Sequence, residues 1–416
     1  MSAVALPLSG AGHAPRLVRS VERLRGALLW LTGFSGAFVF MEPSPYEVVS
    51  LLTIIVFALT GLALRPTHMP LLLLLLLYAV GFALAVVQVG DQSKSVIWVL
   101  VTWYLCATAV FFAVMLGANT SERLSLLMRG WMVAAAVTSV TAILAYFQLL
   151  GSLSDLFLRY SRARGTFNDP NVLGAFLILP TLLALQRILN GRLHDAFRAS
   201  LLLCLMVVAI LLTFSRAAWG QFAFTAALLM FFTFVTSRSS NERLRILLIA
   251  IAGVVVLALF VAALLSIDRI ADLFKERASL EQEYDVGHLG RFGRYILGFQ
   301  LALEHPLGIG PLQFGKIFPE DPHNTYLNTF MSGGWLSGCV YLTLVATTLI
   351  MGLRFVFAQA PWRSNYIAIY CAYVGVAAES IIIDSDHWRH YFLLLGILWG
   401  LMAVSRRHAD GRLAAH

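Results

Sequence analysis

The run MPLLLLLLLYAVGFALAVVQ, residues 69–88, is 20 residues long and contains no charged side chain. A helix needs about 20 mainly apolar residues to cross the roughly 30 Å hydrocarbon core of a bilayer, so this run predicts a transmembrane helix. Comparable runs recur from Ala27 to Val404, and no long hydrophilic block separates them. Of the 416 residues, 59% are hydrophobic and 12% are charged, whereas about 25% of a soluble domain is charged. The sequence excludes a water-soluble fold and predicts an all-α polytopic membrane protein.

Breaks at glycine, proline and charge clusters divide the chain into about twelve predicted transmembrane helices, in a single membrane domain that covers residues 1–416. The helices are expected near residues 27–41, 46–64, 69–88, 96–117, 127–150, 171–188, 199–214, 217–236, 246–266, 325–358, 365–383 and 391–404. One large loop, residues 267–322, separates the ninth helix from the tenth. We expect this loop to carry part of a functional site.

The distribution of basic residues predicts the orientation of the chain. An even number of helices places both termini on one side, and the positive-inside rule favours the cytoplasm because more than half of the 30 basic residues then lie there. The other basic residues concentrate between Arg159 and Arg164 and in the loop from Ser266 to Pro322. This concentration predicts an anionic ligand on the periplasmic side. Contact with anionic lipid headgroups is the alternative explanation of the net charge of +8.

The first candidate motif is RARGTFNDPN, residues 162–171, which precedes the sixth predicted helix. Asn168 or Asp169 can cap that helix. Arg162 and Arg164 stand just before its N-terminus, where exposed backbone amides favour an anion. The motif therefore predicts a phosphate cradle, and an ordinary capped turn with membrane-surface arginines is the alternative.

The second candidate motif is TFSRAAW, residues 213–219, which lies between two apolar runs with almost no loop. Arg216 then sits near the membrane boundary with little room to reach water. Charged residues in such places are energetically expensive and are usually paired or functional. Extension of Arg216 to the interface beside Trp219 is the structural alternative.

The third candidate motif covers residues 290–311 in the large loop. Arg291 and Arg294 are three residues apart, so on a helix they share a face and can grip a diphosphate through bidentate contacts. The run HPLGIGP, which begins at His305, ends that helix and returns the chain toward the membrane. The alternative is an amphipathic helix that lies on the membrane surface.

The fourth candidate motif is PHNTYLN, residues 322–328, at the start of the tenth predicted helix. Asn324 and Asn328 follow His323 at helical spacing. A neutral imidazole near pH 7 is a natural acceptor of a proton from a hydroxyl group. His323 is therefore a candidate general base, and a purely structural histidine is the alternative.

The stretch DSDHWRH, residues 384–390, contains D-x-D and H-x-x-H spacings that can bind Mg²⁺, Mn²⁺ or Zn²⁺. Polar loops contain such pairs by chance. We therefore predict no metal site here and treat these residues as bystanders.

Taken in this order, the four motifs resemble those of the O-antigen ligase and polymerase superfamily of bacterial membrane proteins. The run RGTFNDPN, residues 164–171, matches the core of the family pattern R-x-x-G-T-F-x-N-P-N-x-L-G, with Leu173 and Gly174 in place. The aspartate of this run stands where many members carry another residue. Ser215 and Arg216 match the S-R block of the family.

The large loop and the tenth helix extend the resemblance. Arg291 and the HPLGIG run resemble the signature G-R-x-x-x-W followed by H-P-L-x-G-x-G, with Tyr295 in place of the usual tryptophan. The narrower ligase pattern H-[NSQ]-x9-G-x-x-[GTY] begins at His323 and includes Gly334, but its last position falls on Ser337. A ligase is favoured, and a polymerase of O-antigen or exopolysaccharide that uses the same donor remains an alternative. A transporter is disfavoured because few ionisable residues lie in the middle of the helices.

The resemblance implies a membrane-embedded glycosyltransferase of the GT-C type in the bacterial inner membrane, with a periplasmic active site. Its donor is a glycan linked to undecaprenyl diphosphate, and its acceptor is a sugar hydroxyl of the lipid A core. Membrane lipids are the other expected partners. No nucleic acid, nucleotide sugar, cofactor or metal is implied.

The expected mechanism follows from the charge that develops on the leaving diphosphate, because preorganised cations stabilise the transition state more than the ground state. The residues predicted to bind the diphosphate are Arg162, Arg164, Arg216, Arg291 and Arg294. Arg216, Arg291 and the base His323 are predicted to be catalytic, in one displacement with inversion. Asp169 and Glu320 are the alternative bases. The predicted supporting residues are Asn171, Asn324 and Tyr326.

Overall fold

The computed structural model describes residues 16–278, 290–318 and 320–411, so residues 279–289 of the predicted loop lie outside the described part. The helices before the loop are α1 (Arg16–Ser35), α2 (Pro45–Thr60), α3 (Met69–Val86), α4 (Ser93–Met115), α5 (Thr120–Tyr146), α6 (Pro170–Asn190), α7 (Leu193–Leu212), α8 (Arg216–Thr236) and α9 (Ser240–Leu265). The loop carries α10 (Asp268–Ala278), α11 (Arg291–Glu304) and α12 (Phe314–Ile317), and α13 (Thr325–Val356), α14 (Arg363–Glu379) and α15 (Arg389–Ala409) follow.

A helix overlaps each of the twelve segments that the sequence predicts to cross a membrane. Within the described residues, 8 helices are long and apolar enough for this, namely α3 to α9 and α13. The structure is therefore consistent with a helical membrane protein, and a total of twelve crossings stays a prediction. The all-α prediction misses a short antiparallel hairpin of β1 (Leu158–Arg159) and β2 (Arg162–Ala163).

The twelve long helices differ widely in burial. Helix α6 packs against α7, α8 and α14, and 83% of its most apolar window is buried. Helix α9 contacts mainly α8 and α10, and only 6% of its window is buried. Glycines allow α1 and α5 to cross closely, since a Cβ atom at Gly130 would lie 2.0 Å from the carbonyl oxygen of Trp30. Small residues commonly permit such close crossings between membrane helices.

Helix α13 contains a break at Gly334, whose φ of +76° lies in the region that favours glycine. A Cβ atom there would lie 2.7 Å from the carbonyl oxygen of Pro306, so a larger residue cannot be accommodated without movement. The backbone amide of Trp335 donates to the same oxygen at 2.9 Å. The HPLGIG run is therefore inserted against the break.

The inserted run compensates the hydrogen bonds that the break removes from α13. The amide of Ile309 donates to the carbonyl of Met331 at 2.9 Å, and that of Gly310 donates to Ser332 at 3.2 Å. Inside a membrane protein, backbone groups that a broken helix exposes need such partners. The run thereby ties the end of α11 to α13, which orients two of the predicted motifs relative to each other.

Candidate active site

A cavity of about 600 Å³ opens at the end of the bundle where α6, α8, α11 and α13 begin and α14 ends. It is lined by polar residues from all four predicted motifs, namely Arg162, Asn171, Arg216, Arg291 and His323. Its apolar wall includes Phe214, Phe224, Phe292, Ile382 and Ile383. One cavity thus combines cationic and apolar surfaces, which suits an amphiphilic ligand with an anionic head.

Arg162 reaches the cavity from the hairpin β1–β2. Its Nε atom donates to the carbonyl oxygen of Thr213 at 2.6 Å, and its Nη2 atom donates to Oδ1 of Asn171 at 2.8 Å. The guanidinium group therefore ties the segment before α6 to the turn between α7 and α8. Arg162 and Asn171 lie together at the cavity wall.

Arg164 lies elsewhere, although the sequence prediction placed it beside Arg162. Its Nη2 atom donates to the carbonyl oxygen of Leu156 at 2.9 Å, and Arg164 does not line the cavity. The two arginines separate because the side chain of Arg164 bonds back to its own loop. The spacing of the two arginines in the sequence did not predict this contact with Leu156.

The start of α6 follows the capping prediction. Asp169 is the N-cap residue, and its Oδ1 atom accepts a hydrogen bond from the backbone amide of Asn171 at 2.8 Å. Its other carboxylate oxygen lies 3.5 Å from Nη1 of Arg159. Both oxygens of Asp169 are therefore engaged in local structure, which disfavours this residue as the alternative base.

Arg216 is the first residue of α8, after a turn of three residues that follows α7. Phe214 in that turn has a φ of +48°, and Ser215 caps α8 by accepting a hydrogen bond from the amide of Ala218 at 3.3 Å. The guanidinium group and the positive end of the helix therefore stand at the same point of the cavity wall. Both favour an anion.

Arg291 is the first residue of α11 and lines the cavity in the same manner, whereas Arg294 does not reach it. The side chain of Arg294 is 2% exposed, and its Nη1 atom lies 2.7 Å from Oε2 of Glu320 and 3.1 Å from the carbonyl oxygen of Asp321. Arg291 and Arg294, which the sequence predicted to act together, therefore have different roles. Arg294 holds the segment that leads to His323, and its ion pair engages Glu320, the other alternative base.

His323 precedes α13 and has a φ of +50°, a conformation that few residues other than glycine adopt. Its Nδ1 atom lies 2.8 Å from Oδ2 of Asp384. The hydroxyl group of Tyr295 lies 3.3 Å from the carbonyl oxygen of His323 and 3.0 Å from that of Ile381. The imidazole and its backbone are thus held from both α11 and the segment after α14.

The contact with Asp384 also changes the acid strength of His323. The hydrogen bond that the imidazole donates to the carboxylate raises the pKa of His323 above its usual value, and burial together with the positive charges of Arg291 and Arg294 opposes this shift. Because Nδ1 is engaged, Nε2 is the nitrogen available for proton transfer. A histidine held in this way by a carboxylate is the arrangement of a general base.

The sequence analysis considered the DSDHWRH stretch only as a possible metal site, and the structure adds the contact of Asp384 with His323. The other members of the stretch contact different partners: Asp386 accepts from Nδ2 of Asn328 at 2.8 Å, and Nε2 of His387 lies 3.2 Å from Oγ1 of Thr102. Among the residues that the structure describes, no group of three or more His, Cys, Asp and Glu residues is arranged to hold a metal ion. The missed signal was the first aspartate of the D-x-D spacing.

The two predicted supporting residues of the fourth motif stabilise α13 and do not line the cavity. Oδ1 of Asn324 accepts from the amide of Leu327 at 3.0 Å, which caps the helix. The hydroxyl group of Tyr326 donates to the carbonyl oxygen of Ala377 at 2.7 Å and so joins α13 to α14. They support His323 by positioning the helix that follows it.

Two polar cavity residues were missed by the motif analysis, Gln221 on α8 and Glu379 at the end of α14. Both side chains are buried, and within the described residues their polar atoms have no hydrogen-bond partner. A signal existed for Glu379, because a carboxylate inside the predicted apolar run 365–383 is itself an indication of function.

Residues 201–342 match the model of the family described as O-antigen ligase. The matched region includes Arg216, Arg291 and His323. No curated protein sequence matches the chain. The family match supports the membership of the O-antigen ligase and polymerase superfamily that the motifs predict. The family implies a glycosyltransferase-like ligase or polymerase, and together with the apolar helices it indicates a multi-pass membrane protein.

Proposed function

We propose that this chain transfers a glycan from undecaprenyl diphosphate to a sugar hydroxyl of the lipid A core. The match to the O-antigen ligase family supports this proposal. The reaction would take place at the periplasmic face of the bacterial inner membrane. The observation that carries the proposal is the convergence of Arg162, Arg216, Arg291 and His323, from four separate segments, on one cavity.

The donor is an anionic diphosphate between a sugar and a long apolar chain. The cavity offers one surface that matches the diphosphate and another that matches the apolar chain. Arg216 and Arg291 provide guanidinium groups of the kind that bind phosphate oxygens through paired hydrogen bonds, and Arg162 adds positive charge at the same wall. The N-termini of α8 and α11 add positive potential at the same wall. The phenylalanine and isoleucine side chains of the cavity suit the first part of the lipid chain.

The proposed reaction is one displacement. Nε2 of His323 accepts the proton of the acceptor hydroxyl while its oxygen forms a bond to the anomeric carbon. The bond from that carbon to the phosphate oxygen breaks on the opposite face, and the diphosphate leaves with the electron pair, so the configuration inverts. Asp384 stabilises the imidazolium that forms. The arginines stabilise the leaving diphosphate, whose charge grows in the transition state.

Lipopolysaccharide from a strain that lacks this chain tests the proposal. A ligase predicts bare lipid A core on a gel, with carrier-linked polymer accumulating, and restoration by the wild-type chain. Purified protein should then join a glycan from undecaprenyl diphosphate to lipid A core. Carrier-linked glycan that is longer by one unit, with no glycan on lipid A core, would identify a polymerase and contradict the proposed acceptor.

A further inference from the structure

Glu379 and Gln221 are two buried polar residues that the proposed mechanism does not use. Glu379 is 4% exposed and Gln221 is 5% exposed. Within the described part of the chain, neither carboxylate oxygen of Glu379 and neither amide atom of Gln221 has a hydrogen-bond partner. A buried polar group without a hydrogen-bond partner destabilises the folded state. A fold that keeps two of them at the wall of a cavity therefore calls for an explanation.

The two residues face the same cavity from neighbouring helices. Helices α8 and α14 pack together, and Gly375 stands one turn before Glu379 on α14. A Cβ atom at Gly375 would lie 3.1 Å from Cγ of Gln221 and 3.5 Å from its Nε2 atom. It would lie closer still to Cγ2 of Thr225, at 2.3 Å, so the absence of a side chain at Gly375 lets α8, with Gln221 and Thr225, pack closely against α14.

The chemistry of the pair selects one part of the proposed donor. Neither side chain brings a positive charge to a diphosphate, and an apolar lipid chain cannot satisfy either of them. Hydroxyl and acetamido groups of a sugar can do so, because a hydroxyl donates to a carboxyl oxygen and an amide both donates and accepts. Gln221 follows Arg216 by five residues, which is about 7.5 Å along the axis of α8 at 1.5 Å per residue. Gln221 is thus set back from the diphosphate-binding end of α8, whereas Glu379 is the last residue of α14, at the open end of the cavity.

We propose that Gln221 and Glu379 form a hydrogen-bonding subsite for the sugar ring that is joined to the diphosphate of the donor. This inference rests on the proposed function, since it assumes that the arginines bind the diphosphate. The subsite would let the protein distinguish a glycosylated donor from the undecaprenyl diphosphate that remains after transfer. A site built to hydrogen-bond a substrate group rejects an analogue that lacks it.

The test compares two lipids on the full-length protein in detergent: undecaprenyl diphosphate without a sugar, and undecaprenyl diphosphate that carries one N-acetylhexosamine. The variants are Gln221→Leu and Glu379→Leu, with Glu379→Gln as the conservative change. Each Leu variant should weaken binding of the glycosylated lipid roughly tenfold or more. Binding of the bare lipid should change less than about twofold, and Glu379→Gln should retain a measurable preference for the sugar.

Thr225→Val is the matched control. Thr225 is fully buried one turn after Gln221, and its hydroxyl group donates to the carbonyl oxygen of Gln221 within the helix, but it does not line the cavity. This variant should leave the affinity for both lipids unchanged. The Leu variants should also be at least as thermally stable as the wild type without ligand, because they remove an unsatisfied polar group and leave none behind.

An equal loss of affinity for both lipids in the Leu variants would overturn the proposed subsite and indicate a structural role for the two residues. Unchanged binding of both lipids would overturn it as well, and so would a change confined to the KM for lipid A core, which would assign the pair to the acceptor. A wild-type protein that binds neither lipid and forms no product would instead contradict the proposed function itself. The two failures are therefore distinguishable.

Discussion

The Nδ1 atom of His323 lies 2.8 Å from the Oδ2 atom of Asp384, although 61 residues separate the two in the sequence. The contact joins the start of α13 to the segment between α14 and α15. It is supported nearby, because the hydroxyl group of Thr325 donates to the carbonyl oxygen of Ile383 at 2.9 Å. The position of the candidate base therefore depends on how the last three long helices pack.

His323→Ala should abolish most turnover while it preserves the grip on the diphosphate. Loss of a general base typically slows a reaction by about 10²–10⁴-fold. The arginines at the cavity are unchanged, so affinity for undecaprenyl diphosphate should stay near that of the wild type. A ligation assay and a lipid-binding measurement on the same preparation check this. Near-normal turnover would show that His323 is not the base.

Arg291→Lys should impair both affinity and turnover, because lysine keeps the charge but loses the bidentate geometry. A charge-assisted contact contributes on the order of 1.5–3 kcal/mol, so a loss of roughly ten- to a hundredfold is expected. Arg294→Lys is the matched control, because Arg294 contacts Glu320 and Asp321 and does not line the cavity. The control should lower thermal stability and preserve lipid affinity. Equal effects of both changes on affinity would contradict the separation of the two arginines.

Asp384→Asn should move the acidic limb of the pH–rate profile to lower pH. The base must be neutral to accept a proton, so activity rises as pH passes the pKa of His323. The hydrogen bond that His323 donates to Asp384 raises that pKa, and its removal lowers it. The plateau rate should also fall because the imidazolium loses its counter-charge. Asp386→Asn, at a carboxylate that contacts Asn328, should leave the limb in place. A limb that stays or moves upward in Asp384→Asn would exclude the assigned contact.

Gly334→Ala should destabilise the protein through the break in α13. Its φ of +76° is strained for alanine, and the added Cβ atom would meet the carbonyl of Pro306 at 2.7 Å. The backbone term alone costs about 1–3 kcal/mol. Gly253→Ala in α9, where nothing lies within 4 Å of the new atom, is the control. Thermal unfolding in detergent should show a clear decrease only for Gly334→Ala, and equal behaviour of the two would argue against the inserted HPLGIG run.

Activity should survive excess EDTA, since the proposed reaction uses arginine side chains and one histidine. Membranes that contain the protein, assayed before and after chelation, provide the measurement. Loss of activity that a divalent ion restores would require a metal in the mechanism. The carboxylates of Asp384 and Asp386 would then be the first residues to substitute.

Much of the local structure was predictable from the sequence because it depends on neighbouring residues. Apolar runs of about 20 residues marked the helices, and Asp169 at the start of α6 caps it as expected. The near absence of a loop placed Arg216 at the very start of α8. The order of the four motifs also indicated the family, whose match covers three of them.

Tertiary packing decided which polar side chains meet in the cavity. The sequence predicts that both Arg162 and Arg164 bind the diphosphate. Only Arg162 lines the cavity, because Arg164 donates a hydrogen bond to the carbonyl oxygen of Leu156. Arg291 and Arg294 divide in the same way. Asp384 belongs to a D-x-D pair and Glu379 lies in an apolar run, but only the folded chain shows that one contacts His323 and the other faces the cavity. Sequence periodicity determines which face of one helix is apolar, whereas contacts between distant segments depend on how all the helices pack together.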